Sequence, residues 1–431
     1  MARLAVLALA VLLAGCFSFG PPAPPPAPGD ALNPVAERFV KLSLQVGLLE
    51  DGYVDAYHGP PEWAAAARAA PLPAAEVDRQ FATLYADVIE ILPSTLDAPD
   101  RRRRQFLYEH IRAARFRLRM INGHTVSFVD EAEALFGVRP TTRGLDAFDA
   151  DIARIDALTP GTGPLPARLA AFRKRFEIPP ERLGAVMQAA IAECRARTQT
   201  HIALPANERF ALSFVTGKPW SGYNWFEGNA QSRIEINTDL PVTIDRAVDL
   251  GCHEGYPGHH VHNILMEKLY RERGWVEFSI WPLFAPIALI AEGAANAGVA
   301  LAFPGDEKRA FEARVLYPLA GLDPAMAADY GALTEALRAL RAAEYTVADA
   351  YLSNRIDRAE AIALLQRYQL AAPERAAKRL DFIDAYRSYI VNYGLGQDMV
   401  EAYLARQPAA ARWAAFTRLL SEPTLPADLT R

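Results

Sequence analysis

The sequence predicts a mainly α-helical fold with a small β-hairpin or sheet beside one helix that carries several histidines. Apolar residues recur at intervals of three and four along most of the chain, as on the buried face of an amphipathic helix. Two short segments instead alternate between apolar and polar residues, which is typical of strands. The helical pattern runs through residues 36–49, 77–92, 106–121, 147–158, 183–197 and most of the chain after residue 242.

The strand prediction rests on two segments that precede the histidine-rich stretch, Arg209–Val215 and 233–237. An edge strand beside such a helix could hold an extended substrate by backbone pairing. Residues 233–237 are the candidate, with Arg233, Glu235 and Asn237 as substrate-binding residues. A hairpin that only covers the core would show the same pattern. The connection between the two segments could line a pocket and contains Trp220, Tyr223, Asn224, Trp225 and Phe226.

The chain begins with a short basic and apolar leader, which ends in Leu-Ala-Gly-Cys at residues 13–16. This is the pattern of a lipobox, so we expect residues 1–15 to be a signal peptide and Cys16 to be lipidated after cleavage. An ordinary signal peptide with an incidental cysteine is the alternative. Phe17 follows the cysteine in place of an aspartate, which in a Gram-negative cell predicts the outer membrane, facing the periplasm.

Residues 16–33 are rich in proline and predict a semi-rigid tether behind the lipid anchor. We then expect an N-terminal helical region, 34–205, and a metal-binding catalytic region, 206–431. A chain of 431 residues that is 51% hydrophobic and 23% charged is large enough for one or two cores. We expect contact with the membrane through the lipid anchor only.

A net charge of −5 argues against nucleic acid as a partner. The four consecutive arginines at 101–104 open an arginine-rich helix, and we interpret them as a solvated face.

Four of the eight histidines lie within ten residues, and Glu254 directly follows the first of them, His253. A His-Glu pair followed by a second histidine on the same helix face is typical of zinc hydrolases. Two imidazoles bind one ion, and the carboxylate acts as a general base. The remaining three histidines of this run are His259, His260 and His262.

The spacing departs from H-E-x-x-H because Pro257 occupies the fifth position. In an unbroken helix His259 would point about 120° away from His253. Pro257 has no amide hydrogen to donate and Gly258 tolerates unusual dihedral angles, so we expect a bulge that restores His259 to the same face. His260 is the competing ligand, on the same face of a regular helix but about 10.5 Å along its axis.

Glu292 is the best candidate for a third ligand. It lies among small and apolar residues at 289–298, which predict a buried helix. Burying a lone carboxylate costs several kcal/mol unless a cation compensates it. Three rival glutamates lie among lysines and arginines, as solvated helix charges do: Glu267, Glu272 and Glu277. The predicted site holds one zinc ion, with ligands His253, His259 and Glu292.

The run from His253 to His260 resembles the H-E-x-x-P-G-H signature of the bacterial family catalogued as domain of unknown function 885, a zincin group related to metallopeptidases. Residues 51–63, DGYVDAYHGPPEW, and 392–396, NYGLG, are similar to other stretches of that family. The resemblance implies a mostly helical, zincin-like metallohydrolase. It also implies two histidine ligands, a glutamate base and a glutamate third ligand, at His253, His259, Glu254 and Glu292.

Two positions differ from this family. The family often has E-G-W-A where this chain has E-G-A-A at 292–295, and often a glutamine where His262 stands. These differences bear on substrate preference more than on metal binding. Residues that could replace or support the metal ligands are His260, His262 and Asn296.

Hydrolysis of a peptide bond also needs a group that stabilises the oxyanion. Tyr393 is the candidate, because a phenol can donate a hydrogen bond and the glycines of the N-Y-G-L-G segment, predicted to be a turn, allow close approach. Tyr389 and Arg387 are alternatives, and packing of Tyr393 in the core is the competing interpretation.

Two cysteines remain after Cys16, namely Cys194 and Cys252. They could pair in an oxidising periplasm. Cys252, however, precedes His253 in an apolar helix, so we predict two buried free thiols.

These residues predict a zinc-dependent hydrolase, a peptidase that acts on a peptide or amide substrate. The alternative is a non-catalytic lipoprotein that binds a metal or solute through the same histidines. Glu254 favours the enzyme, because a binding site has no use for a free carboxylate beside an open metal position.

Overall fold

The structure, a computed structural model, describes residues 31–430 and confirms a mainly helical fold with small sheets. Residues 1–30, which include the predicted signal peptide, Cys16 and most of the tether, lie outside the described residues. In chain order the helices are α1 (Asn33–Leu49), α2 (Pro61–Ala69), α3 (Ala74–Glu90), α4 (Ala98–Ile121), α5 (Phe128–Phe136), α6 (Asp149–Leu158), α7 (Leu165–Lys174), α8 (Pro180–Gln199), α9 (Ile244–Leu250), α10 (His259–Arg273), α11 (Pro286–Ala302), α12 (Glu307–Phe311), α13 (Tyr317–Ala320), α14 (Ala327–Arg338), α15 (Ala343–Leu352), α16 (Arg358–Tyr368), α17 (Pro373–Tyr386), α18 (Val391–Ala405) and α19 (Arg412–Ser421).

Two small sheets accompany the helices. The strands are β1 (Val54–Tyr57), β2 (Arg209–Val215), β3 (Gly222–Gly228), β4 (Gln231–Asn237) and β5 (Ile280–Pro282). β1 pairs with β5, and β4 lies between β2, to which it is parallel, and β3, to which it is antiparallel. The expectation that residues 233–237 form an edge strand is therefore wrong. Both edges of β4 are paired, because the aromatic connection forms a third strand, β3, that the sequence pattern did not reveal.

The largest cluster of buried apolar side chains extends from Leu32 to Leu429 and includes side chains of both predicted regions. Within residues 31–430 no single helix is long and apolar enough to cross a membrane. Two segments, Pro286–Ala302 and Glu307–Ala320, pass that test only as a pair bent by 68°.

The arginine run at 101–104 is not wholly a solvated face. Arg103 is fully buried, and its guanidinium forms two hydrogen bonds to the Glu277 carboxylate, at 2.5 and 2.9 Å. The interpretation fails at this position because α4 turns one of four consecutive residues towards the core. Glu277 was likewise expected to be solvated and is buried. Breaking such a pair by removing one partner typically costs about 3–5 kcal/mol.

α11 is buried along most of its length, as predicted, and it packs closely against α18. The contact runs through two glycines, because a Cβ on Gly293 would lie 2.5 Å from the backbone carbonyl carbon of Gly396. Residues 392–396 therefore belong to a helix and not to the predicted turn. Their glycines allow two helices to approach, which outweighs the helix propensity that glycine loses.

We expect Gly293→Ala to lower the free energy of unfolding by about 1–3 kcal/mol, because the added methyl meets backbone that cannot rotate away. Urea unfolding followed by circular dichroism measures the change. Gly184→Ala in α8 is the matched control, since its Cβ would meet only Phe214 Cε2, at 3.9 Å. This control should be neutral or stabilising. Equal stability of the two variants would contradict the packing argument.

Candidate metal centre

The helix that carries the histidines is interrupted, whereas the sequence predicted a single helix with a bulge. α9 continues into a π-helical turn, Gly251–Gly255, and the next helix begins at His259. Gly258 lies in the break: its amide donates to Cys252 O at 3.0 Å, and a Cβ there would lie 1.9 Å from His253 O. Only glycine allows this close approach of the backbone, which brings His259 back beside His253.

The break brings two imidazoles and one carboxylate to a common point. His253 Nε2 lies 3.0 Å from His259 Nε2 and 3.2 Å from Glu292 Oε2, and His259 Nε2 lies 3.6 Å from the same oxygen. One ligand atom from each residue lies within 4.8 Å of the others. Two histidines and one glutamate are a donor set that zinc accepts in catalytic sites.

The surroundings of Glu292 fit a bound cation. Its Oε1 accepts a hydrogen bond from the Tyr389 hydroxyl at 2.8 Å, whereas Oε2 is buried and has no hydrogen-bonding partner among residues 31–430. A buried carboxylate oxygen without a donor is costly, and a metal ion at this point would compensate it.

Asn296 fixes the orientation of His253. Its amide nitrogen donates to Tyr393 O at 3.1 Å, so its Oδ1 faces His253 Nδ1, at 3.0 Å. The Nδ1–H of His253 therefore donates to Asn296, and the lone pair of Nε2 points at His259 and Glu292. Support of this kind is usual for a histidine that binds metal.

His260 and His262 do not join this cluster. His260 is fully buried, with Nδ1 at 2.7 Å from Ser232 Oγ and Nε2 at 2.9 Å from Glu208 Oε1, so it ties α10 to β4. His262 packs edge-on against Trp281, and burial lowers its pKa to about 3. The contacts of both rings are therefore with neighbouring elements of the fold and not with the metal ligands.

The rival glutamates also lie outside the cluster, but two of them are buried where solvated charges were expected. Glu267 accepts the backbone amides of Asn229 and Ala230, at 2.7 and 3.1 Å, in the turn between β3 and β4. Glu277 pairs with the buried arginine of α4. Only Glu272 is exposed among the three. Glu267 does pair with its sequence neighbour Arg271, at 2.7 Å, but the backbone amides that it accepts and the arginine that pairs with Glu277 lie elsewhere in the chain.

Glu254 faces the same cavity without joining the ligand atoms. It is buried beside β3, where a Cβ on Gly222 would lie 2.8 Å from Glu254 Oε1. Asn224 Nδ2 donates to Glu254 O at 2.6 Å and fixes the backbone of the π-helical turn. Burial raises the pKa of the Glu254 carboxyl.

Asp55 in β1 is a site residue that the sequence analysis did not single out. Its carboxylate accepts a hydrogen bond from the Tyr223 hydroxyl and lines the cavity. Burial raises the pKa of Asp55 to about 7, and Glu292 and Glu254 add to this rise. The only available signal was its place in the stretch at 51–63 that carries the family resemblance.

The carboxylates make the metal-ligand end of the cavity electrostatically negative. Although burial opposes it, Glu292, Glu254 and Asp55 raise the pKa of His259 to about 9. A site with three carboxylates around two imidazoles attracts a proton or a cation. This charge is the second feature that fits a metal ion.

Tyr393 lines the cavity from α18, with its ring centroid 6.4 Å from that of His253. Burial raises the pKa of Tyr393 well above its usual range, as it does for Tyr389. Both phenols are therefore protonated donors near neutral pH. Arg387, the other alternative, pairs with Glu131 and does not line the cavity.

Of the three candidate substrate-binding residues of β4, only one lines the cavity. Arg233 pairs with Glu235, which also accepts from Trp225 Nε1 at 2.9 Å, and neither Arg233 nor Glu235 lines the cavity. Asn237 lines the cavity, and its amide donates to the backbone of the loop between β2 and β3.

The cavity has a volume of about 890 Å³. All five residues of the predicted aromatic pocket line it: Trp220, Tyr223, Asn224, Trp225 and Phe226.

Cys194 and Cys252 form a disulfide, so the prediction of two free thiols is wrong. The π-helical turn lies directly against α8, where a Cβ on Gly251 would be 3.0 Å from Ile191 Cγ1. This contact brings the two cysteine Cα atoms to 5.5 Å, within bonding range. The bond ties the residue before His253 to α8.

No family model and no curated protein matches this chain. Among solved structures, one from Colwellia psychrerythraea, provisionally described as a lipoprotein, aligns with a TM-score of 0.51 and 16% identity over 94% of this chain and 76% of its own. An M32 carboxypeptidase from Deinococcus radiodurans R1 aligns with a TM-score of 0.40 and 14% identity, over 90% and 88% respectively. The Colwellia alignment shows a shared fold.

Proposed function

We propose that this chain is a zinc-dependent hydrolase that cleaves peptide bonds and belongs with the zincin-like family its motifs resemble. One observation carries the proposal: two imidazoles and an unpartnered carboxylate oxygen converge beside a separate buried carboxylate, Glu254, in one large cavity. A purely structural metal site is closed by protein ligands and has no use for such a base.

The ion would be held by His253, His259 and Glu292. Asn296 orients His253, and the Tyr389 hydroxyl donates to Glu292. When bound, zinc would supply Lewis acidity, which lowers the pKa of water and polarises a carbonyl group.

Glu254 is the base in this proposal. Its Oε1 would take a proton from the attacking water and return it to the leaving amine. Burial, which raises its pKa, brings the carboxyl closer to the range in which a group can both accept and return a proton near neutral pH. Gly222 leaves room for this carboxylate, because a Cβ at that position would lie 2.8 Å from Glu254 Oε1.

Tyr393 is the proposed donor to the oxyanion. Its hydroxyl is protonated, faces the cavity and forms no hydrogen bond within residues 31–430, whereas the Tyr389 hydroxyl is committed to Glu292. A free donor of this kind can strengthen its hydrogen bond as negative charge develops on the substrate oxygen.

We expect the purified protein to carry about one zinc ion, and alanine at His253, His259 or Glu292 to remove most of it. Elemental analysis after dialysis measures this. His260→Ala is the control: it should keep the zinc but lower the melting temperature, because it removes the ring that bonds to both Ser232 and Glu208. Loss of zinc in the His260 variant alone would overturn the ligand assignment.

Glu254→Gln should lower turnover of a peptide mixture by about 10²–10⁴ while zinc content and melting temperature stay near those of the parent. Glu227→Gln, an exposed residue of β3, is the matched control and should retain full activity. A Glu254 variant that loses zinc would make this residue a ligand. Absence of hydrolysis by the zinc-loaded parent on every peptide would favour the metal- or solute-binding lipoprotein.

We also propose that the protein is anchored by lipid at Cys16 in the outer membrane, facing the periplasm, from the lipobox at residues 13–16. Cys16→Ser should release the protein from the membrane fraction or leave its precursor unprocessed. Fractionation and intact-mass measurement test this. A Cys16 variant that sediments and matures like the parent would exclude the anchor.

A further inference from the structure

Basic side chains also line the cavity. Three arginines line it from three different helices: Arg173 at the end of α7, Arg246 in α9 and Arg375 in α17. None of them has a role in the proposed chemistry. We refer to these three residues as the arginine cluster.

Backbone pairing between distant segments assembles the arginine cluster. Ile178 N donates to Val242 O, and Ile244 N donates to Phe176 O, each at 2.9 Å. This short pairing places the end of α7 beside the start of α9, and so brings together the two arginines that flank it. The third arginine, Arg375, donates from Nη2 to the carbonyl of Pro241, in the same segment, at 3.4 Å.

The carboxylates nearby are largely committed elsewhere. Asp239 pairs with Lys378 at 2.9 Å, and Asp245 accepts from the Tyr330 hydroxyl at 2.8 Å. The Asp249 carboxylate lies 3.2 Å from Lys308 Nζ, and its contact with Arg246 Nη1 is longer, at 3.7 Å.

Two members of the cluster lack an ion pair. Within residues 31–430, no carboxylate lies within 4.0 Å of the guanidinium groups of Arg173 and Arg375. Partial loss of solvation lowers the pKa of Arg375, which is still exposed, and the charges of Arg173 and Arg246 lower it further, against the opposing effect of Asp245. The fold therefore holds like charges together and open to the cavity, an arrangement that an anion would stabilise.

We infer that the arginine cluster binds the C-terminal carboxylate of a peptide substrate. This inference rests on the proposed peptidase function. Guanidinium groups match carboxylates with paired, charge-assisted hydrogen bonds, and every unmodified linear peptide carries one such carboxylate at its end.

The spacing sets the length of the released product. Arg246 precedes His253 by seven residues along one helical segment, which corresponds to about 10 Å along the axis. An extended peptide advances about 3.3 Å per residue, so a peptide that runs along this segment would place about three residues between a carboxylate level with Arg246 and the metal ligands. The expected reaction is the release of a di- or tripeptide from the carboxyl end.

The first test is equilibrium binding, which does not depend on turnover. N-acetylated hexa-alanine with a free C-terminus and its C-terminal amide are titrated into full-length Glu254→Gln protein, with fluorescence of the tryptophans that line the cavity as the readout. We expect the free acid to bind at least about tenfold more tightly than the amide. Arg173→Gln/Arg375→Gln should abolish that preference.

The matched control is Lys174→Gln/Arg418→Gln, which removes the same charge from exposed positions outside the cavity and should keep the preference. The cluster variant should also be at least as thermally stable as the control, because it removes like-charge repulsion. A cluster variant that retains the preference for the free acid would overturn the inference. So would tighter, competing binding of inorganic phosphate, which would assign the site to phosphate.

The second test separates this inference from the proposed function. The zinc-loaded parent is incubated with the same two peptides, and mass spectrometry identifies the products. We expect di- or tri-alanine from the free acid and at least tenfold lower kcat/KM for the amide, through KM. Equal cleavage of both would overturn the inference and leave the peptidase standing. A binding preference without any cleavage would leave the carboxylate site standing and remove the peptidase.

Discussion

The two imidazoles meet because the helix that carries them breaks at one glycine. Pro257 offers no amide hydrogen to His253 O, so a regular helix cannot continue, and Gly258 donates to Cys252 O while lying almost against the backbone of His253. The next helix then begins at His259. Every other element of the candidate metal centre is arranged around this break, since six residues of unbroken helix would point the two rings to different faces.

Contacts from separate elements hold the break in place. The disulfide from Cys194 anchors it to α8, and α11 approaches so closely that a Cβ on Gly298 would lie 2.8 Å from Pro257 Cγ. The same helix supplies Asn296, which orients His253, and Glu292. Fixing ligands through independently packed elements keeps their geometry constant, which a site for metal and substrate requires.

Opposite charges occupy different parts of one cavity. Carboxylates surround the histidines, whereas Arg246 of the arginine cluster lies about two helical turns before His253, in α9. In the proposed function, the negative end holds the cation and the base, and the positive end orients an anionic substrate terminus. Because the cavity is partly shielded from water, these charges act over longer distances than they would on an exposed surface.

The local sequence pattern alone predicted the helical fold and the buried helix around Glu292. It also identified His253 as a candidate metal ligand and Glu254 as a candidate base. Amphipathic spacing and motif chemistry are properties of neighbouring residues, so the sequence is sufficient for these predictions. Only the tertiary structure decided that Asp55 and Arg375 share a cavity with the histidines, that Arg103 is buried and that residues 233–237 form a central strand. Each of these outcomes depends on which distant segment packs alongside, and no short-range spacing carries that information.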